Sequence, residues 1–282
     1  MKRIAIVFIS VTLILSGCRT HKNPEQDRRI VVSFSIKSLS NVVSSSTSDE
    51  DAISKVILFG VSAKGAVLGK HLITINNSLE GIPLTISQEV KSLYTIANPS
   101  VTLQSVNPLT VSDLMTLTDD ITYAPVSPFL MSGKTDVNVD NSINIELVRF
   151  VAKIVVVGED GFQIQSVTVK NTPSKGFVFT QPTLSLPASS GKVDYMDITN
   201  STIYVAENSR QNPTTLIVKG TMAGIPVGEI AVNFVKNGQT IDIERNTCYK
   251  ATIMPDPEHN ADISINIVGW DDVDLDPTYF EY

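Results

Sequence analysis

Two cysteines in 282 residues cannot build a disulfide framework, and they are too few for a cysteine-based zinc site. Packing must therefore hold the fold. The three histidines, His21, His71 and His259, show no H-x-H or H-x-x-x-H spacing, which removes the common metal-ligand arrangements. A single tryptophan and 6% aromatic residues leave little material for the exposed aromatic clusters that stack sugar rings. Charged residues are scarce, at 18% against a typical ~25%. Their balance is acidic, 22 Lys and Arg against 29 Asp and Glu, which argues against electrostatic binding to nucleic acid. What the chain does have is 42% hydrophobic residues and length enough for one large or two ordinary domains.

The longest apolar run, residues 4–15 behind Lys2 and Arg3, is too short to span a ~30 Å hydrocarbon core. It reads as a signal peptide. The run ends Leu15-Ser16-Gly17-Cys18, a lipobox in which small residues admit the peptidase and the Cys18 thiol accepts diacylglycerol. An ordinary secretory signal with a chance cysteine is the alternative. Lipidation would make residues 1–17 a removed leader, residues 18–29 a polar tether, and the outer membrane the anchor. Arg19 rather than Asp after the cysteine fits outer-membrane sorting, and no acidic export run follows it. Cys248 would then lack a partner in the chain and is expected buried in a strand.

From residue 30 the apolar pattern has period two and is broken by turn residues, so an all-β chain is expected. Strand-like runs recur at 55–62, 70–76, 92–97, 101–105, 143–157, 162–170, 202–206, 214–220, 227–235, 239–245, 248–254 and 262–268, a spacing that suits sandwiches. Asn237-Gly238 predicts a two-residue hairpin turn, because both residues tolerate positive φ. Glu159-Asp160-Gly161 predicts another. Residues 110–117 are the best helix segment, with Thr110 or Ser112 as N-cap. The run 144–157 places Val148, Phe150, Ala152, Ile154 and Val156 on one face and Arg149 and Lys153 on the other. It divides the chain into an N-terminal sandwich, 30–143, and a C-terminal sandwich with a tail, 144–282.

Chemistry is hard to assemble from these residues. No G-x-S-x-G elbow is present, and Gly133-Lys134-Thr135 imitates the end of a phosphate loop but has Pro128 where glycine is required. Asp272, Asp274 and Asp276 alternate near the C-terminus without the glycine and closing glutamate of a calcium loop, so a solvated acidic stretch is the plainer reading. Trp270 could stack on a sugar ring, though packing explains it as well. No catalytic residue, metal or cofactor is expected.

Two strands stand out instead. Ile30, Val32, Phe34 and Ile36 alternate between the tether and a polar stretch, and Ile263, Ile265 and Ile267 alternate before the acidic tail. Each has the form of a transferable strand, one that completes a sheet edge in a neighbour through main-chain bonds and alternate side chains. Both could equally complete their own sandwiches.

A series of short blocks then carries a family likeness: Tyr94-Thr95-Ile96-Ala97-Asn98-Pro99, Met131-Ser132-Gly133, Leu147-Val148-Arg149-Phe150-Val151-Ala152-Lys153-Ile154, Tyr204-Val205-Ala206-Glu207-Asn208, Leu216-Ile217-Val218-Lys219-Gly220 and Arg245-Asn246-Thr247-Cys248-Tyr249. In this order behind a lipobox, the chain resembles the fimbrillin family of Bacteroidota, the FimA/Mfa-like subunits of type V pili. The resemblance implies two transthyretin-like β-sandwich domains in tandem, export as a lipoprotein, and proteolytic removal of the first strand. A neighbour's C-terminal strand would fill the vacated groove, giving a polymer with other fimbrial subunits that supports adhesion through a surface receptor. On this sequence the removable strand is 30–36, the donor comes from 263–282, and the strand near 54–61 begins the mature subunit. Lys37 is the only basic residue between Ile30 and Ser54. Cleavage at Lys37, cleavage by another protease within 38–48, and no cleavage all stay open. An uncut subunit would be a membrane anchor or terminator, and a surface glycan-binding lipoprotein is the reading from a different class.

Overall fold

The computed structural model describes residues 27–37, 49–76, 78–122, 128–254 and 262–268. More than half of them fall in strands. In chain order these are β1 (Asp27–Ile36), β2 (Lys55–Ser62), β3 (Val67–Thr74), β4 (Ile82–Ser87), β5 (Val90–Ala97), β6 (Thr118–Asp120), β7 (Met131–Asp136), β8 (Ser142–Arg149), β9 (Ala152–Gly158) and β10 (Phe162–Pro173). There follow β11 (Lys175–Phe177), β12 (Lys192–Ile198), β13 (Thr202–Val205), β14 (Thr215–Met222), β15 (Ile225–Asn233), β16 (Val235–Lys236), β17 (Gln239–Thr240), β18 (Cys248–Met254) and β19 (Asp262–Val268). Two one-turn helices, α1 (Val101–Ser105) and α2 (Val111–Met115), lie between β5 and β6.

The first eight strands, β6 apart, form one sheet in the order β3-β2-β5-β7-β8-β1-β4. This sheet folds over on itself. β7 and β8 share only the pairs Met131↔Arg149 and Ser132↔Val148 before they diverge. Gly133 sits at the divergence, where a Cβ would meet the Glu146 carbonyl oxygen at 2.3 Å, so only glycine permits the close approach. The two halves then face each other across a core that includes Val32, Phe34, Val56, Leu58, Leu93 and Ile145. β2 is buried on both faces, because Ile57, Phe59 and Val61 point the other way, against Leu103 of α1, Leu114 of α2 and Val178 with Phe179. That double burial explains its unbroken apolar sequence.

Beyond β8 a second pair of sheets, β12-β10-β14-β15 and β13-β9-β18-β19, stacks around Ile154, Val167, Val169, Leu216, Val218 and Ile253. β9 runs parallel to β18, and β19 closes the edge antiparallel to it. The two sandwich layers are stitched to the first sheet by the β6–β11 pairing and by the Ser132 hydroxyl, which donates to the Val178 carbonyl at 2.7 Å.

Local signals account for several elements. Asn237 and Gly238 both have positive φ, 52° and 73°, in the turn joining β16 and β17. Asp160 and Gly161 do the same between β9 and β10. Thr110 caps α2 as half of a capping box, its hydroxyl accepting from the Asp113 amide while the Asp113 carboxylate accepts from the Thr110 amide. Hydrogen bonds from the Leu109 and Thr110 amides hold the Asp113 carboxyl below its ordinary pKa.

Four expectations need correction. Residues 101–105 are helix rather than strand, because Ser100 accepts the Leu103 amide and the alternation of Val101 and Leu103 does not have to lie on a sheet. The run 144–157 is two strands in two different sheets, interrupted where the Phe150 amide bonds Leu130 and the Val151 carbonyl accepts from Asn246. Arg149, expected on a polar face, is only 1% exposed. Of 239–245 only Gln239–Thr240 is strand.

Candidate functional site: the slot of the first strand

β1 is first in sequence but interior in the sheet. Its amino-terminal half pairs antiparallel with β4, from Asp27↔Ser87 to Val32↔Ile82. Its carboxy-terminal half pairs parallel with β8, from Val31↔Ser142 to Ile36↔Leu147. The strand is thus a splint that overlaps two neighbours, and β4 has no other partner in the sheet.

Alternation decides what the strand contributes to the core. Ile30, Val32 and Phe34 are buried, and Ile36 packs against the same cluster from a partly exposed position. At ~1.5–3 kcal/mol each, the three buried side chains are worth roughly 5–9 kcal/mol of apolar burial. The intervening residues make polar links: the Ser33 hydroxyl accepts from the Gly81 amide at 3.3 Å, and the Ser35 hydroxyl accepts from Asn144 Nδ2 at 3.0 Å. Arg28 Nη2 donates to the Asn138 carbonyl at 2.9 Å.

Lys37 continues the strand beyond Ile36. Its side chain is half exposed, with Nζ 3.9 Å from Glu146 Oε2. Its backbone is engaged at both groups, the amide donating to the Leu147 carbonyl at 2.8 Å and the carbonyl accepting from Asn246 Nδ2 at 3.0 Å.

The chain is next described at a turn of 3₁₀ helix, Asp49–Asp51. Asp51 pairs with Arg149 Nη2, Glu50 accepts from Lys153 Nζ at 3.1 Å, and the Tyr204 hydroxyl donates to Glu50. Burial, reinforced by the Glu50 carboxylate, pushes the Tyr204 hydroxyl pKa well above its ordinary value. Asn246 ties this cluster to the slot, because its Oδ1 accepts from the Arg149 amide at 3.3 Å and from Arg149 Nη1 at 3.0 Å. Sequence reasoning missed this cluster. Asp51 and Arg149 are 98 residues apart, and no local period links them.

β19 pairs along its whole length with β18, from Cys248↔Val268 to Met254↔Asp262. Ile263, Ile265 and Ile267 are therefore ladder residues of an edge strand, and the Ile267 side chain is 43% exposed. Cys248 is buried in β18. Gly133, Lys134 and Thr135 lie in β7, where Lys134 Nζ stands 5.5 Å from the centroid of the Tyr94 ring. His71 lies in β3, and among the described residues no three His, Cys, Asp or Glu side chains gather as a metal site would require. Cys18, His21, His259, Trp270, Asp272, Asp274 and Asp276 lie outside the described residues.

No protein-family model matches the sequence, and no curated protein matches it either. Solved structures do match in fold. The tip fimbrial protein Mfa3 of Porphyromonas gingivalis, in a C-terminally truncated form, aligns over 86% of this chain and 100% of its own at 14% identity, with a TM-score of 0.61. The fimbrilin FimA of Porphyromonas gingivalis W83 aligns over 86% and 97% at 14% identity, with a TM-score of 0.58. A fimbrial assembly protein of Parabacteroides distasonis aligns over 89% and 99% at 14% identity, with a TM-score of 0.55. At these identities the likeness establishes a shared fold, and it extends over nearly the full length of each neighbour.

Proposed function

We propose that this chain is a structural subunit of a cell-surface fimbria, exported as a lipoprotein anchored at Cys18 and polymerised by strand exchange. Of the two tandem sandwich domains expected at 30–143 and 144–282, the first would extend to Arg149, because β8 pairs in the first sheet, and the second would begin at β9. In this reading a cut within residues 38–48 frees the segment carrying β1, and an extended strand from the C-terminal region of a second copy takes its place. The observation that carries the reading is the position of β1: a strand interior to its sheet that is the first of the described strands and is joined to the rest of the fold through residues 38–48. One cut in that segment would release it without severing any other of the described elements. The fimbrial character of the fold neighbours supports the same conclusion.

A second reading, an uncut anchor or terminator at the outer membrane, draws on two observations. Both backbone groups of Lys37 are bonded, which opposes the extended, accessible conformation a protease needs at the one basic residue of the region. β19 already completes a sheet of its own, so donating it would expose β18. The test is the N-terminus of the protein recovered from outer membranes and from sheared surface fibres, by intact and peptide mass spectrometry. A new terminus within 38–49 in the fibre fraction is expected for the polymerising subunit. A lipidated Cys18 in every fraction would replace that reading with the anchor.

A further inference from the structure

Asn246 is almost wholly buried and adopts a left-handed conformation, φ 58°, which asparagine tolerates better than most residues. Its backbone amide and both side-chain polar atoms are hydrogen-bonded. The backbone amide donates to the Val151 carbonyl at 2.8 Å, Oδ1 accepts from two Arg149 nitrogens, and Nδ2 donates to the Lys37 carbonyl. Arg149 supplies only donors and a carbonyl only accepts, so the amide can sit in just one of its two orientations. Arg149 in turn holds Asp51. A single line of polar groups thus runs from the end of the first strand, through a loop just before β18, to the residues where the described chain resumes.

The geometry points to Asn246 as the positioning residue that reads whether the β1 slot is correctly filled. The occupant is an extended strand, β1 itself or a strand from the C-terminal region of a second copy of this chain, and it must bring a backbone carbonyl to the place of the Lys37 carbonyl. A strand one residue short at that end fills the positions of Ile30, Val32 and Phe34 and leaves a buried donor on Asn246 unmet. The register of the incoming strand is thereby specified by a polar contact as well as by its apolar pockets. This inference rests on the strand-exchange reading.

The test uses the full chain nicked within residues 38–48 at an engineered protease site, with its first-strand piece exchanged for labelled peptides. One peptide spans residues 27–37 with Lys37→Gly and a C-terminal amide, and the other spans 27–36 with a C-terminal amide. Both keep an N–H for the Leu147 carbonyl, and only the longer offers a carbonyl to Asn246. The shorter peptide should bind about five- to tenfold more weakly to the wild-type slot, as loss of one uncharged hydrogen bond gives. In Asn246→Asp, which keeps the acceptors for Arg149 but cannot donate, the two peptides should bind alike. Asn246→Gly, which suits the positive φ, provides the same comparison if the aspartate variant does not fold. Equal binding of both peptides to the wild-type slot overturns the inference while leaving strand exchange standing, and so does a preference that persists in the variants. Failure of either peptide to enter the wild-type slot overturns the strand-exchange reading and this inference together.

Discussion

Arg245 and Glu207 form a buried ion pair in which the guanidinium grips both carboxylate oxygens, Nε reaching Oε2 at 2.8 Å. The remaining donors are not idle: Nη1 and Nη2 donate to the carbonyls of Val178 and Phe177 at 3.0 and 2.7 Å. Arg245 also lies 5.4 Å from the centroid of the Phe150 ring, so one side chain ties the β17–β18 loop to β11 and to the point where the chain leaves the first sheet. Glu207→Gln removes the countercharge and should cost about 3–5 kcal/mol, as breaking a buried pair does. Urea unfolding measures it, as a lower midpoint with an unchanged slope. A loss under 1 kcal/mol would show that the carbonyls alone satisfy the arginine.

Phe34 supplies the largest side chain that β1 buries. Phe34→Ala should destabilise the uncut chain by about 3–5 kcal/mol through lost burial and the cavity left behind. Under the proposed strand exchange, fibres assembled without the first strand should not feel the change. Thermal unfolding of the purified chain and of sheared fibres makes the comparison, and an equal drop in both would mean that β1 stays in the assembled subunit.

The β14–β15 hairpin is closed by Ala223-Gly224, with φ of 49° and 80°. Alanine is strained there by about 1–2 kcal/mol, since its Cβ crowds the following carbonyl. Ala223→Asn, which favours this turn, should stabilise the chain by roughly 0.5–1 kcal/mol. Calorimetry would show a higher melting temperature, and an unchanged or lower value would refute the strain.

Asp119 accepts from the Ser100 hydroxyl at 3.3 Å beside a cavity lined by Phe129, Leu130, Phe150 and Val151. Burial pushes its carboxyl pKa above the ordinary 3.8. A raised carboxyl pKa means that the folded state prefers the proton, so the ionised group weighs against the fold at neutral pH, and that penalty disappears on acidification. Asp119→Asn should therefore be more stable than wild type at pH 7. The advantage should shrink as pH falls through the folded pKa and vanish below 3.8, where both side chains are neutral. Melting temperatures across pH 3–8 decide it, and a gap independent of pH would remove the carboxyl as its cause.

How much of this was legible depended on the range of the signal. The extents of β2, β18 and β19, the Asn237-Gly238 turn and the Thr110 cap were readable because period two, turn chemistry and capping act within a few residues. β4, β7 and β12 were not, since Ile82-Pro83, the glycine in β7 and the polar Lys192–Ile198 break the alternation that edge and bend positions do not need. Ala223-Gly224 escaped notice because alanine gives no warning of a positive φ. The strand β1 itself was visible in the alternation of Ile30, Val32 and Phe34, all of which are buried. Its clamp of Asn246, Arg149 and Asp51 was invisible, because each partner lies nearly a hundred residues or more from the next.

β1 overlaps β4 over one half of its length and β8 over the other, as a splice plate overlaps two beams. A pull along the strand loads all the ladder bonds of both overlaps in shear at once. A pull at right angles would open them one after another, like a zipper. The joint is accordingly strongest along the axis of β1 and weakest to a force that peels β4 sideways.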